Sequence, residues 1–218
     1  ADDLRFHLAR ARLREHSYKD PAKAIAYFRA NLAARRYGNK DAETYGLALA
    51  LSRAGQNAQA RELARQLLDA HPNPVELIVL DAVLAAKTGA RGEALSTLRS
   101  AVGLRPDNLP LRIAYAQVLM DAGQHAQALI TLEDAVRLRS APAYVYELMS
   151  DAAFKSGNKA ATHRYRGEKL YMEGDLEPAI RQMELALNTP SLGFYEASKI
   201  QVRLDALKDE EKESKERE

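Results

Sequence analysis

YGLALALSRAGQNAQARELARQLLDAHP, residues Tyr45–Pro72, is followed at Val79–Pro106 by VLDAVLAAKTGARGEALSTLRSAVGLRP, and the two stretches keep one beat. Gly55, Ala60 and Pro72 recur 34 residues later as Gly89, Ala94 and Pro106, and Gly123 with Ala128 lies a further 34 on. A second small or apolar slot, twelve residues past each Gly, holds Leu67, Ala101 and Ala135. A glycine that can turn left-handed ends a first helix without the roughly 1–2 kcal/mol penalty that a Cβ incurs there. The small residue five positions on lets the second helix cross closely, and a bulkier one would overpack that contact by about 1–3 kcal/mol. Proline closes each unit, where its missing N–H does no harm.

A helix–turn–helix unit of 34 residues is the tetratricopeptide (TPR) period. The expected fold is all-α, a TPR-like helical-repeat superhelix of about twelve antiparallel helices. Scarce β-branched runs and abundant Ala and Leu agree with that class. Regular repeats are predicted over 41–140, with helices at about 41–54, 58–70, 74–88, 92–103, 108–122 and 126–138. Asn73-Pro74 is predicted as N-cap and first helical residue, Asp107-Asn108 precedes Pro110, and Ser140 precedes Pro142.

Working outward towards the start, residues 1–17 form an apolar stripe of Leu4, Leu8 and Ala11. Asp20-Pro21 then supplies an N-cap and a first-turn proline. Counting 34 back from Gly55 gives Pro21, so a degenerate first repeat is expected over 1–38, with Ala26 in its small slot and Gly38 ending its second helix. Beyond the regular repeats Gly157 keeps the beat, with Thr162 in the small slot. Gly174 then comes only 17 residues later, bringing its own Ala179 and Ala186. The phase-shifted repeats are therefore placed at 143–207, with the helix at about 159–173 serving two pairs. A last helix, roughly 192–207, follows Thr189-Pro190-Ser191. Residues 208–218 alternate acids and bases and are expected to be frayed or disordered.

Composition excludes several chemistries. There is no cysteine, hence no disulfide and no thiolate nucleophile or ligand. Five histidines, His7, His16, His71, His125 and His163, form no HExxH, and no GxSxG, GxxxxGK[ST] or GxGxxG occurs. The paired carboxylates Asp2-Asp3 and Glu210-Glu211 are terminal and solvated. His163-Arg164-Tyr165 is read as a helix-surface cluster. No catalytic residue, metal site or cofactor is expected. Residues 1–40 hold ten Lys/Arg against four Asp/Glu, so that end carries about +6 of a net +2. Aromatics make up only 6%, Trp is absent, and the arginines gather at one end instead of tracking the array, so no nucleic-acid partner is expected. No apolar run approaches the roughly 18 residues of a membrane span. The first residue is Ala1 and not Met, and we expect that a segment has been removed upstream.

A TPR array offers a concave groove lined by first helices, suited to a protein or an extended peptide. With each Gly as a ruler, the positions ten and six before it should face that groove: Tyr45 and Leu49, Val79 and Val83, Ile113 and Gln117, Glu147 and Asp151, then Arg164 and Glu168. Two before the Gly stand Arg53, Lys87, Asp121 and Lys155. The floor is thus apolar in the middle and charged towards the end. TPR proteins that clamp a C-terminal carboxylate place Lys and Asn at the first two slots, which this chain does not. Val79, Val83 and Ile113 are equally open to packing against neighbouring helices or a capping segment. Asp81 and Arg112 occupy apolar slots on adjacent first helices and are expected to pair with each other.

FHLARARL (Phe6–Leu13), YGLALAL (Tyr45–Leu51), LRIAYAQVLMDAGQ (Leu111–Gln124) and QVRLDALK (Gln201–Lys208) together resemble the C-terminal TPR region of BepA-type periplasmic zinc metallopeptidases of Gram-negative bacteria. The resemblance implies a periplasmic docking half without activity of its own, preceded in cis by a protease domain. It also implies partners in the outer-membrane β-barrel assembly machinery and its clients. A stand-alone TPR scaffold unrelated to proteolysis is the alternative.

Overall fold

The computed structural model describes residues 2–137, 141–190 and 192–217. Twelve helices and no strand occur among them: α1 (Asp2–Ser17), α2 (Pro21–Ala33), α3 (Lys40–Arg53), α4 (Asn57–Ala70), α5 (Val75–Lys87), α6 (Arg91–Leu104), α7 (Leu109–Asp121), α8 (His125–Val136), α9 (Ala143–Lys155), α10 (Lys159–Met172), α11 (Leu176–Leu187) and α12 (Phe194–Arg217). The chain divides into two compact units, residues 1–118 and 119–218, the division falling within α7.

The beat of glycines is a beat of helix stops. Gly55, Gly89, Gly123, Gly157 and Gly174 all have φ between 75 and 93°. At Gly55 the following N–H, of Gln56, reaches back to the Leu51 carbonyl (2.9 Å), while the glycine's own N–H bonds Ser52 (3.1 Å). This is the Schellman pair of bonds, which satisfies carbonyls that the helix end would leave orphaned. Ala60, Ala94, Ala128 and Ala179, five residues on, are all fully buried. Thr162, in the same slot after Gly157, is also buried. It tolerates the site by turning its hydroxyl onto the Asn158 carbonyl of its own helix (2.8 Å).

In the first unit α2 through α6 pack each on the next, and one core runs from Leu8 and Phe28 through Leu51 and Leu67 to Leu77 and Leu84. In the second, α8 through α12 do the same. There α10 packs on both α9 and α11, and Ile180, Met183, Ile200, Leu204 and Leu207 form a core around α11 and α12.

Four sequence expectations are corrected. Helix α2 ends at Ala33, not at Gly38. Arg35 takes the left-handed position (φ 54°), and Arg36 N–H bonds Asn31 (2.9 Å), so the same Schellman closure forms on a non-glycine residue. The stop is set by these bonds, and Gly38 belongs to the linker before α3. Second, Ala26 is exposed; Ala24, Ile25 and Phe28 face the core, so α2 is rotated off the expected register. Third, Pro74 and not Asn73 is the N-cap of α5. Fourth, the charged end is helical: α12 continues through Lys208 to Arg217, with Lys215 reaching Glu211 at 2.8 Å. Acids and bases at i,i+4 spacing are good helix formers, and that support outweighs the lack of apolar residues. Elsewhere the caps follow expectation: Asp20 Oδ1 accepts from Ala22 N–H (2.8 Å) and Asn108 Oδ1 from Leu111 N–H (3.0 Å). Ser140 and Ser191, the expected cap residues before α9 and α12, and Leu138 at the expected end of α8 lie outside the described residues, as do the side chains of Asp2 and Asp3.

Candidate functional site: the trough between α3 and α5

Helix α1 does not fold back as a simple partner of α2. It runs along α3 in the same direction, with His7 beside Gly38 at one end and Glu15 beside Arg53 at the other. Leu8 and Ala11 supply the apolar contact. Arg53 Nη2 donates to the Tyr18 carbonyl (2.6 Å). Its Nε stands 2.9 Å from Glu15 Oε1, but that oxygen receives no well-aimed hydrogen bond, so the contact is an ion pair only. Two predicted groove residues are thereby used within the chain: Arg53 is tied to α1, and Tyr45 is left 2% exposed. Burial pushes the Tyr45 hydroxyl up to about 12, against the opposing pull of Arg12.

What α1 leaves open is a trough of about 260 Å³. Leu49, Val79 and Val83 line its floor and are half-buried, and Tyr45 closes the bottom. Arg5 and Arg12 of α1 and Glu76 of α5 stand on its walls. Of the first-unit positions predicted for the groove, Tyr45, Leu49, Val79 and Val83 therefore come together. Ile113 is buried and Gln117 exposed, and neither lines the trough. Arg5, Arg12 and Glu76 were not singled out for the groove. The signal for the first two is their spacing: seven residues apart on one helix puts them on one face.

In the second unit the expected slots are engaged by neighbouring helices. Glu168 accepts a forked pair of hydrogen bonds from Arg203 of α12 (2.9 Å from each of Nε and Nη2), and that guanidinium lies over the Tyr171 ring at 4.4 Å. Arg164 pairs with Glu196 (3.3 Å) and Glu147 with Lys169 (3.4 Å), while Asp151 is exposed. In the cluster His163-Arg164-Tyr165 the Arg164 guanidinium lies over the Tyr165 ring at 5.1 Å, while the polar groups take different partners. His163 Nδ1 meets Gln182 (2.9 Å), and the Tyr165 hydroxyl donates to Glu133 (2.6 Å). Burial holds that hydroxyl far above its ordinary range.

The expected Asp81–Arg112 pair is replaced by others. Asp81 faces Arg65 of α4 at 3.9 Å, and Arg65 and Arg61 both grip Glu93 of α6 at 2.6 Å. Arg112 Nε donates to the Pro106 carbonyl. The reason is adjacency: α5 packs directly on α4, whose arginines reach Asp81 first. Among the described residues no group of three or more His, Asp or Glu could hold a metal ion, and no helix is long and apolar enough to cross a membrane.

Two family profiles described as tetratricopeptide repeat match the chain, at residues 44–74 and 85–152. No curated protein matches it by sequence. Among solved structures, MamA from Desulfovibrio magneticus RS-1 is similar at 16% identity, over 79% of this chain and 97% of that one, with a TM-score of 0.53. A thermophilic TPR protein of Thermus thermophilus is similar at 18% identity, over 77% of this chain and 98% of that one, with a TM-score of 0.51. The chain thus carries tetratricopeptide repeats, and its fold is a TPR-like helical-repeat fold.

Proposed function

We propose that this chain is a non-catalytic protein-interaction module whose α3–α5 trough receives a segment of a partner protein. The observation that carries the proposal is the half-buried aliphatic floor of Leu49, Val79 and Val83 on two successive first helices, left uncovered between walls of charged side chains. TPR arrays use that surface for extended segments. Val83→Glu tests it: capture of a partner should fall by at least about tenfold, as expected when an anchor contact is replaced by a desolvated charge, with the helical spectrum unchanged. Capture that persists removes the trough from the function. Tyr45 is unsuited to that test, because its substitution would disturb the buried contact with α1.

The finer reading follows the sequence resemblance. It makes the chain the docking half of a periplasmic zinc metallopeptidase, with components of the outer-membrane β-barrel assembly machinery as the proteins to offer in that capture. The repeat matches carry no link to proteolysis. A stand-alone TPR scaffold is as well supported, since tetratricopeptide repeats by themselves imply protein interaction. The coding sequence upstream of Ala1 separates the two: an HExxH motif there supports the docking half, and an initiator Met directly before Ala1 ends it. Casein digestion by the purified chain with added zinc would overturn the non-catalytic reading itself.

A further inference from the structure

One wall of the trough is chemically incomplete. Arg12 is exposed, its charge opposes the burial of the Tyr45 hydroxyl, and it makes no ion pair within 4 Å among the described residues. Arg5, with 62% of its side chain exposed, reaches Glu76 Oε1 only at 3.6 Å. The other carboxylate oxygen of Glu76, Oε2, is buried and out of reach from the trough. One wall therefore shows a cation without a carboxylate. Beside it lies an aliphatic floor. The volume of about 260 Å³ is below the roughly 300 Å³ at which small-molecule pockets begin, so it suits one large side chain better than a cofactor.

We infer that the trough takes an extended peptide segment in which a large apolar side chain stands next to an acidic one. This rests on the trough being the partner site. The apolar side chain fills the space over Leu49, Val79 and Val83. The neighbouring carboxylate meets the Arg12 guanidinium, a charge-assisted contact that a neutral segment forgoes. A basic residue at the acidic position would face Arg5 and Arg12 and be repelled. Charge thus selects the segment, and the aliphatic floor supplies the grip.

The probes are fluorescein-labelled ten-residue peptides of Gly and Ser with a central Leu-Asp, Leu-Asn, Leu-Lys or Ala-Asp, titrated against the full chain by anisotropy. Leu-Asp should bind, Ala-Asp and Leu-Lys at least about tenfold more weakly, and the Leu-Asp affinity should fall with salt. Arg12→Glu should invert the order of Leu-Asp and Leu-Lys, a reversal that damage to the fold cannot produce. The inference is overturned if no peptide binds, if Ala-Asp equals Leu-Asp, or if Arg12→Glu leaves the order unchanged. Should any of these occur while Val83→Glu still abolishes partner capture, the trough remains the partner site and only the ligand chemistry is wrong. Should Val83→Glu leave capture intact, the proposed function itself falls.

Discussion

A methyl group placed on Gly55 would meet nothing within 4 Å, whereas one placed on Gly46 would fall on the ring of Phe28, which is 1% exposed. Two Gly→Ala changes, one inside α3 and one just past its end, therefore test different forces. Gly55→Ala should cost only the left-handed backbone term, about 1–2 kcal/mol. Gly46→Ala has to move a core aromatic ring and should cost more, about 3 kcal/mol. Thermal melts should rank them in that order, at roughly 2–4 °C per kcal/mol for a chain of this size. Asp81 makes a second residue-scale prediction. Burial raises its carboxyl above the usual range, outweighing the opposing pull of Arg61 and Arg65. The ionised form is thus penalised on folding. That penalty is fully present above the raised folded pKa and gone below the unfolded value of 3.8. Asp81→Asn should therefore melt higher than the parent chain at pH 7, and the gap should close as the pH falls towards 4. A gap that widens with acid would show Asp81 to be stabilising as the anion. The sequence marks Asp81 as out of pattern in an apolar slot. It does not say which cation answers it, because both α4 and α7 offer arginines and only packing decides between them.

At the level of the element, α1 is held by the apolar contact of Leu8 and Ala11, by the Glu15–Arg53 ion pair and by Arg5 facing Glu76. Arg53→Ala would leave the Glu15 carboxylate buried without its cation. Breaking a buried pair costs about 3–5 kcal/mol, but the Arg53 side chain is 32% exposed, so about 2 kcal/mol is the expected size. Hydrogen exchange should quicken in α1 and stay unchanged in α5 and α6; uniform acceleration would mean that α1 is an integral part of the core and not a docked element. The position of α1 was the least legible feature of the chain. Its apolar stripe of Leu4, Leu8 and Ala11 announces a helix, but a stripe names no recipient, and repeat counting put α1 in a pair with α2. Counting also missed the end of α2, for a physical reason. Arg35 closes α2 by the same hydrogen bonds that a glycine would make, so the stop is invisible to a search for glycine. By contrast, α3 through α11 could be placed within a few residues, because glycine stops and alanine crossings impose their spacing on anything that packs around them. The trough was half legible. Its floor came from the repeat ruler, and its cationic wall came from a helix that the ruler had misplaced.

At the scale of the whole molecule, residues 1–118 and 119–218 each have an apolar core of their own. In a repeat protein, stability is close to a sum of unit and nearest-neighbour contributions. A fragment ending just after the Gly123 turn should therefore keep a helical circular-dichroism spectrum and melt cooperatively. A fragment without helical signal would show that the first unit borrows its order from the second. The five glycine stops also carry a consequence for how such a chain can change over time. Each lies where an added side chain would find open space, so the core contacts begin and end between them. They work as splice marks: a 34-residue cassette copied or excised from one mark to another keeps every later helix in frame. The 17-residue interval from Gly157 to Gly174 breaks that frame once. Any descendant that lost α10 alone would have to find new company for both of the helices it now separates.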